Sequence, residues 1–322
     1  MTFIAMIGNR VEKSRKSHCS FARSQIVLFQ SRKKFAFLYC LSTITGLFCI
    51  PGVLDALFSP NPEFLVIMQM TLPLPLASLL TTAGTYIMND LVDVNLDRAN
   101  GKKRPLSSGR VSKKQAKIFV SCTFLAAVLL ILLTFRPISL IIILSMLAIG
   151  IAYSAPKIAL MKRFVIKTVS IVVFYVLCAL LGLTSAYNLE LALENPVLVA
   201  NVLLTLAIMV FISSTLNDMG DVGGDRDAGR RTIPMVIGND NTINLTMVLS
   251  AIILVETWAF YGAAMIFGDG NPVTPITTSI IALIILMTSR NMRKMIHNPE
   301  FVRSQHKKLF PLQMAIHLSL IA

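Results

Sequence analysis

The sequence is poor in charged residues. They make up 14% of its 322 residues, whereas an ordinary soluble domain has about 25%. Hydrophobic residues make up 55%, and the mean hydropathy is +0.70. This composition excludes a soluble globular domain, and it also excludes intrinsic disorder, collagen and coiled coil, each of which requires residues that this chain lacks. We therefore expect an integral membrane protein.

Cysteine frameworks and secretory signals are also lacking. The five cysteines fall mostly in apolar segments and show no Cys-x-x-Cys spacing, so we interpret them as small apolar residues. Residues 1–34 contain no apolar stretch long enough for a signal-peptide core. They are rich in Arg, Lys and Ser, with Glu12 as the only acid. This composition fits a basic arm near anionic headgroups, with a mitochondrial transit peptide as the alternative.

Long apolar runs are abundant. The hydrocarbon core of a bilayer is roughly 30 Å thick and needs about 20 apolar residues per helix. The candidate segments are residues 35–58, 64–88, 117–135, 138–155, 164–185, 196–216, 243–267, 273–289 and 309–322. The sequence thus predicts an all-α, polytopic membrane protein with about nine transmembrane helices around a central lipid-accessible cavity. A basic cytosolic arm at residues 1–34 precedes a single helical membrane domain at residues 35–322.

The net charge is +14, and the basic residues lie mostly on one side of these segments. If the loops alternate between two sides, every Lys and Arg except Arg136 falls on the side of the amino terminus. Lys and Arg are retained on the cytoplasmic side, so we expect the amino terminus to be cytosolic. The expected location is the endoplasmic reticulum or plasma membrane, with the mitochondrial inner membrane as the alternative. A nucleic-acid partner is not expected, because that would require a basic face on a soluble fold.

Two copies of one acidic motif follow apolar segments. NDLVDVNLDR runs from Asn89 to Arg98 after the second segment, and NDMGDVGGDR runs from Asn217 to Arg226 after the sixth. Both fit the pattern NDxxDxxxD, at an offset of 128 residues. Four segments separate the copies, so both emerge on the same membrane face. This arrangement indicates a parallel internal repeat around a central site.

The acids of each motif are spaced to share one helix face. If the helix continues, the first, fifth and ninth positions stack at i, i+4 and i+8, and the second flanks them. Stacked carboxylates repel one another unless a cation lies between them, and a set of oxygen ligands favours Mg²⁺ or Ca²⁺ over zinc. The alternative is solvated loop acids balanced by nearby Lys and Arg. The candidate catalytic residues are Asn89, Asp90, Asp93, Asp97, Asn217, Asp218, Asp221 and Asp225.

Basic residues accompany both motifs. Mg²⁺ takes one or two carboxylates and completes its shell with water and phosphate oxygens. Carboxylate-held metal beside cationic side chains therefore suits a diphosphate. The positive-inside bias would also place Lys and Arg here. As diphosphate ligands we favour Arg104, Lys162 and Arg226.

These motifs resemble those of the UbiA superfamily of intramembrane prenyltransferases. The resemblance rests on both acidic motifs, on RPLSSG at 104–109, on YSAP at 153–156 and on DRDAGRRTIPMVIG at 225–238. It covers the chain from about residue 35 onward. The second motif is most similar to that of the geranylgeranylglyceryl phosphate geranylgeranyltransferases, which commonly read DVEGDR where this chain has Gly223. The resemblance implies that Mg²⁺ and a prenyl diphosphate are held by Asn89, Asp93, Asp97, Asp221 and Asp225.

A polyprenyl diphosphate has an anionic head and an apolar tail, so a lipid-open cavity with a charged end suits it. Metal ions stabilise the leaving diphosphate and promote ionisation of the allylic carbon. Aromatic rings can then face the carbocation. The candidate rings are those of Tyr86, Tyr153, Tyr175 and Phe211, for which helix packing is the alternative role.

Two fates are open to the carbocation. We expect transfer of the prenyl group, such as geranylgeranyl, to an aromatic or lipid acceptor. A UbiA-type terpene cyclase, in which a double bond of the tail attacks, is the alternative. A cation-coupled transporter is a remote third interpretation, since transport sites usually lie near the bilayer midplane, where Glu256 is the exceptional ionisable residue.

Overall fold

The structure, a computed structural model, describes residues 20–49, 69, 71–99, 101–185, 194–266 and 272–321. The described residues form α-helices and two short 3-10 helices, and they contain no β-strand. The helices are α1 (Phe21–Phe48), α2 (Pro73–Val92), α3 (Val94–Ala99), α4 (Lys113–Leu132), α5 (Pro137–Ser154), α6 (Phe164–Leu183), α7 (Pro196–Asp227), α8 (Ile233–Ile237), α9 (Asn239–Ile266), α10 (Val273–Met292), α11 (Pro299–Lys307) and α12 (Leu309–Ile321).

Several helices begin where the sequence carries a start signal. Pro73, Pro137 and Pro196 are the first residues of α2, α5 and α7, a position at which proline loses no hydrogen bond and its fixed φ suits the helix. Ser112 and Gln115 form a capping box at the start of α4, each side chain accepting from the other residue's backbone N–H. Local chemistry thus fixes where these helices enter the bundle.

Six helices are long and apolar enough to cross a membrane: α4, α5, α6, α7, α9 and α10 with its short 3-10 extension. The all-α membrane fold is therefore as the sequence predicts, whereas the expected count of about nine spans is not confirmed in the described part of the chain. The remaining predicted segments fall in part on α1, α2 and α12, while residues 50–58, 64–68 and 70 of those segments lie outside the described residues. The described part of α12 has 13 residues, fewer than the roughly 20 that a span needs.

The helices pack in an order that repeats along the chain. In the first half α2 packs against α1, α4 and α5. In the second half α7 packs against α6 and α9, and α9 packs against α10. Contacts of α1 with α6 and α12, and of α5 with α6, join the halves. The two helices that end in the acidic motifs, α2 and α7, therefore hold corresponding positions, as expected for a parallel repeat.

Glycines allow α1 and α6 to pack closely. A Cβ atom on Gly46 would overlap the backbone carbonyl of Ala179, and one on Gly182 would overlap that of Thr43. Ser42 also donates a hydrogen bond of 3.1 Å to the carbonyl oxygen of Tyr175 across this contact. Small residues are the usual means of close helix packing in a membrane. The contact brings the first helix of each half together.

The second motif lies at the end of α7, a helix longer than a hydrocarbon core is thick. Its 32 residues span about 48 Å at 1.5 Å per residue, which exceeds the roughly 30 Å of a hydrocarbon core. The motif occupies the final turns, Asn217–Asp225. A helix of this length extends beyond a hydrocarbon core, and its carboxylates lie at one end of it.

Candidate active site

The two motifs differ in backbone structure. In the second motif α7 runs without a break through Gly220, Gly223 and Gly224, so the expected stacking on one face holds. In the first motif α2 ends at Val92, and α3 begins after Asp93. Even so, the backbone N–H of Asp93 bonds the carbonyl of Asn89 at 3.0 Å, and that of Asp97 bonds the carbonyl of Asp93 at 2.8 Å. The helical hydrogen bonds between residues i and i+4 are therefore kept across the bend.

Most of the motif acids are buried. Asp90, Asp93, Asp97, Asp218 and Asp225 have relative exposures of 2–7%, and only the side chain of Asp221, at 32%, is partly open. Buried carboxylates need charged or hydrogen-bonding partners. This burial rules out solvated loop acids, although Lys and Arg do balance their charge.

Arg230 joins the two motifs. Its Nη2 atom donates to both carboxylate oxygens of Asp93, at 2.6 and 2.7 Å, and its Nη1 donates to Oδ1 of Asp225 at 3.3 Å. The motifs therefore lie at the same end of the bundle and share one guanidinium. The repeat of the motif predicts this proximity, whereas the prediction of diphosphate ligands favours Arg226 over the neighbouring Arg230.

The turn after α7 brings Arg230 back over the motif. The N–H of Gly229 bonds the carbonyl of Arg226 at 3.0 Å, and the N–H of Arg230 bonds the carbonyl of Asp225 at 2.9 Å. These two bonds form a Schellman motif, which requires a left-handed residue, and Gly229 has φ +64°. The sequence AGRR after the acids carried this signal, because a helix-ending glycine reverses the chain.

The first motif has two further cations. Arg104 Nη1 lies 2.7 Å from Asp90 Oδ1 and 2.7 Å from Asp97 Oδ2, so it links these acids. Arg32, on α1, donates from Nε to Asp90 Oδ2 at 2.9 Å. The candidate diphosphate ligand Arg104 is thus placed in the site, already paired with carboxylates. Arg32 lies far from the first motif in the sequence, so no local pattern predicts that it contacts Asp90.

The second motif has its own cations. Lys167, on α6, pairs with Asp218 and lies 3.9 Å from Asp225, while Arg303 on α11 lies 2.8 Å from Asp221. The charge pattern groups Lys167 with the basic residues on the side of the amino terminus, although it lies within the apolar segment 164–185. The sequence feature that points to Lys167 as a site residue is its isolated position inside an apolar segment.

The other two candidate diphosphate ligands lie at the edge of the site. Lys162 is in a short 3-10 turn before α6, and Arg226 is in the last turn of α7; both side chains are exposed. The carbonyl of Lys162 accepts a 3.1 Å hydrogen bond from the N–H of Arg231. The two loops are therefore adjacent, but neither cation is among the ion pairs of the described residues.

A cavity of about 110 Å³ lies next to Asn89, between α1, α2, α5 and α6. Its α2 wall consists of Thr82, Thr85, Tyr86 and Asn89, which share one face at helical spacing. The remaining lining residues are Tyr39, Ile149, Gly150, Tyr153, Ser170, Ile171 and Phe174. The cavity thus leads from the acidic motifs into an aromatic and apolar interior.

Two of the four candidate aromatic residues line this cavity, namely Tyr86 and Tyr153. Tyr175 instead packs behind Tyr39, with ring centroids 4.7 Å apart, and its hydroxyl pairs with His317 at 2.5 Å. Phe211 is not a lining residue. Tyr39 and Phe174 also line the cavity, and no sequence pattern predicts this, because their placement depends on how α1 and α6 are rotated in the bundle.

Glu256 lies apart from the motifs. It accepts a 2.6 Å hydrogen bond from the hydroxyl of Thr205 on α7. Thr205 precedes Asn217 by 12 residues on α7, which corresponds to about 18 Å along the helix. Glu256 is therefore not part of the acidic site.

Charge pairing sets the protonation of the loop groups at the site. Burial disfavours the charged form of Arg230, but its hydrogen bond to Asp93 and the charges of Asp93 and Asp225 outweigh that effect and raise its pKa. Burial raises the pKa of Asp97, opposed by the charge of Arg104 and reinforced by that of Asp90. Arg230 therefore remains a cation between the two motifs.

Comparison with known proteins identifies the family. The UbiA prenyltransferase family matches residues 42–303, most of the chain. The chain belongs to this family. The resemblance inferred from the motifs is thereby confirmed.

Two UbiA relatives and one solved structure show the range of similarity. Digeranylgeranylglyceryl phosphate synthase of Methanoculleus marisnigri is 27% identical over 202 residues, covering 61% of this chain and 65% of that protein. Homogentisate phytyltransferase of Synechocystis sp. is 27% identical over 192 residues, covering 58% and 62%. Both matches thus span somewhat less than two thirds of the relative. A UbiA homologue from Archaeoglobus fulgidus bound to GPP and Mg²⁺ has a TM-score of 0.60 at 16% identity, covering 92% of this chain and 99% of that one, which shows a shared fold.

The donor set of this UbiA-family site is compatible with magnesium in its chemistry. The described residues contain no cluster of three or more His, Cys, Asp or Glu side chains placed to hold a metal ion, because cations lie between the carboxylates. However, Asn89 Oδ1, Asp218 Oδ2 and Asp225 Oδ2 are buried without a hydrogen-bond partner. Hard oxygen donors of this kind suit Mg²⁺, which draws the rest of its shell from water and phosphate.

Proposed function

We propose that this protein is an intramembrane, Mg²⁺-dependent prenyltransferase that ionises a polyprenyl diphosphate and transfers its prenyl group to an aromatic or lipid acceptor. The observation that carries the proposal is the Arg230 bridge between Asp93 and Asp225, beside the aromatic cavity. The bridge puts both acidic motifs at one end of a space suited to an isoprenoid tail. Membership of the UbiA prenyltransferase family supports the reaction class.

The acidic motifs would bind the metal and the diphosphate head. Asn89, Asp93 and Asp97 would act from the first motif, and Asp221 and Asp225 from the second. Bound Mg²⁺ supplies positive charge that stabilises the departing diphosphate. In the ion pairs of the described residues, the six motif carboxylates outnumber the five cations, Arg32, Arg104, Lys167, Arg230 and Arg303, an excess of negative charge that favours binding of a divalent cation.

Cationic side chains would hold the diphosphate oxygens that the metal does not. Arg104 is in place between Asp90 and Asp97 and would donate to phosphate once the carboxylates bind metal. Lys162, in the turn before α6, and Arg226, in the last turn of α7, are both exposed and would close over the head group. Charge-assisted donation to phosphate is strong and directional for arginine in particular.

The cavity would hold the reacting end of the prenyl chain. Tyr39, Tyr86, Tyr153 and Phe174 present rings to it, and the negative face of a ring stabilises a nearby carbocation by roughly 0.5–2 kcal/mol. Rings also exclude water, which would otherwise capture the cation. The cation would therefore persist until a positioned nucleophile attacks.

We also propose that the site opens to the cytosol, with the protein in the endoplasmic reticulum or plasma membrane. The support is the positive-inside asymmetry of the sequence, together with the common end at which the two motifs and their cations meet. Accessibility labelling of Cys replacements at Lys103 and Arg136 in sealed vesicles would report the two sides.

The test of function incubates purified protein in lipid with geranylgeranyl diphosphate and Mg²⁺, alone or with an acceptor. Geranylgeranylglyceryl phosphate and homogentisate are the lipid and aromatic probes, chosen because relatives named for these acceptor classes are similar to this chain. We expect diphosphate release and a prenylated product only when an acceptor is present. A cyclic hydrocarbon formed from geranylgeranyl diphosphate alone would refute transfer and establish a terpene cyclase.

A further inference from the structure

Lys167 is exceptional among the basic residues. In the described part of the chain it is the only buried Lys or Arg, and it is the fourth residue of α6, a helix apolar enough to span a membrane. Burying an ammonium group is costly unless it is paired. A buried lysine at this position is therefore expected to form an ion pair with a specific carboxylate.

Its partners are two acids of the second motif. The Nζ atom donates to Asp218 Oδ1 and lies 3.9 Å from Asp225 Oδ2. Those acids are seven residues apart, two turns along one face of α7. The longer distance permits an ion pair but no hydrogen bond, and Asp225 Oδ2 has no other hydrogen-bond partner. This oxygen is therefore oriented by charge and still free to bind a ligand.

The first motif contains the same arrangement, built from a different part of the chain. Asp90 and Asp97 correspond to Asp218 and Asp225 at the offset of 128 residues. Arg104 follows the first motif in the sequence and lies 2.7 Å from both of its acids. Lys167 instead precedes the second motif and lies on α6, the helix before the one that carries that motif. Each motif thus has one cation linking its second and ninth positions, which indicates a shared requirement rather than chance pairing.

Lys167 also continues one wall of the cavity. Ser170, Ile171 and Phe174 line the cavity and follow Lys167 by three, four and seven residues, so all four share a face of α6. This face runs from the aromatic interior to the acidic end. Lys167 therefore lies at the junction between the tail cavity and the second motif.

We propose that Lys167 is a positioning residue. Held by Asp218, it orients the Asp225 carboxylate for a divalent cation and diphosphate, as Arg104 does for Asp97. The inference rests on the proposed function for the role of that cation site.

Charge and orientation predict opposite effects when Lys167 is removed. Loss of a positive charge beside Asp225 makes the pocket more negative, so charge alone would tighten binding of a divalent cation. Loss of orientation would weaken it by about 10–100-fold, as is typical when a group that orients a metal ligand is removed. The sign of the change therefore separates positioning from a simple charge effect.

The experiment measures Mn²⁺ binding by electron paramagnetic resonance to the full chain in detergent, with inorganic diphosphate present, and thermal unfolding of each variant. We expect K167M to bind Mn²⁺ about 10–100-fold more weakly and K167R to recover most of the loss. The matched control is K117M, because Lys117 is an exposed lysine near the start of α4. Unchanged or tighter Mn²⁺ binding in K167M would overturn the inference.

A double variant separates positioning from folding. K167M alone leaves Asp218 buried without its cation, whereas K167M/D218N removes both charges, which is often neutral for stability. We expect the double variant to recover the wild-type unfolding temperature while binding Mn²⁺ more weakly than D218N alone, the matched control that also lacks the Asp218 carboxylate. Recovery of Mn²⁺ affinity together with stability would show a purely structural pair and overturn the inference.

The proposed function and this inference fail in different ways. If wild-type protein binds Mn²⁺ and K167M weakens it, yet no prenyl diphosphate is consumed, the proposed function fails and the role of Lys167 stands. If wild-type protein transfers the prenyl group while K167M keeps its Mn²⁺ affinity, the role of Lys167 fails alone. Absence of Mn²⁺ binding in the wild type would overturn both.

Discussion

Arg230 lies 2.6 Å from Asp93, a residue 137 positions earlier in the chain. The same guanidinium also reaches Asp225 at 3.3 Å. One side chain thus contacts two acidic motifs that belong to different halves of the bundle. The arrangement has a functional consequence, because a metal or phosphate that binds both motifs must displace or share this guanidinium.

Replacing Arg230 should damage both stability and activity. R230M removes the only cation that contacts both Asp93 and Asp225 in the described residues. It leaves the buried Asp93 carboxylate without its cation, and an uncompensated charge in a protein interior costs about 3 kcal/mol. We expect a lower unfolding temperature and a large loss of prenyl transfer. R231M is the matched control, since Arg231 is adjacent and exposed. Equal behaviour of the two variants would show that the bridge is unimportant.

The motif carboxylates should be needed for turnover rather than for folding. We expect D93A and D225A each to abolish consumption of geranylgeranyl diphosphate while the protein still inserts and elutes as a folded species in detergent. D240A serves as control, because Asp240 is exposed at the start of α9. Substantial activity in D93A or D225A would remove these residues from the metal site.

Metal removal should stop the reaction reversibly. The donors at the site are oxygens of Asp and Asn, which favour Mg²⁺. We expect EDTA to abolish release of diphosphate and added Mg²⁺ to restore it, while Zn²⁺ restores less because it prefers Cys and His ligands. Turnover that persists in excess EDTA would contradict the proposed mechanism.

The close contact between α1 and α6 gives a prediction about stability alone. A methyl group at Gly182 would overlap the backbone of α1, so the helices would have to separate. We expect G182A to lower the unfolding temperature markedly. G262A is the matched control, since nothing lies within 4 Å of a Cβ there. Similar unfolding temperatures for both variants would show that α1 and α6 are not in contact.

Much of the fold could be predicted from composition and helical periodicity. Apolar runs predicted α4, α5, α6, α7, α9 and α10 because burial in lipid demands continuous hydrophobicity. The predicted count of nine spans is not confirmed, and α12 has only 13 described residues. The continuity of α7 through three glycines was also unpredictable, because glycine propensity is local while helix packing is not.

The candidate site was predicted in part. The motif positions follow from the repeat, and the placement of Arg104 beside its motif follows from its short separation in sequence. Lys167, Arg32 and Arg303 come from other helices, and their partners depend on which faces of α1, α6 and α11 meet α2 and α7. Pairing over such separations is decided by packing, which no local pattern encodes.

The sequence by itself determined a helical membrane protein with two equivalent acidic motifs at one membrane face, because hydrophobicity, charge bias and motif spacing are all local properties of the chain. Only the tertiary structure decided that Arg230 joins the motifs, that Lys167 is buried beneath the second of them, and that Tyr39 and Phe174 complete the cavity. Those facts depend on helix rotation and crossing. Such geometry is fixed by the combined packing of the whole bundle.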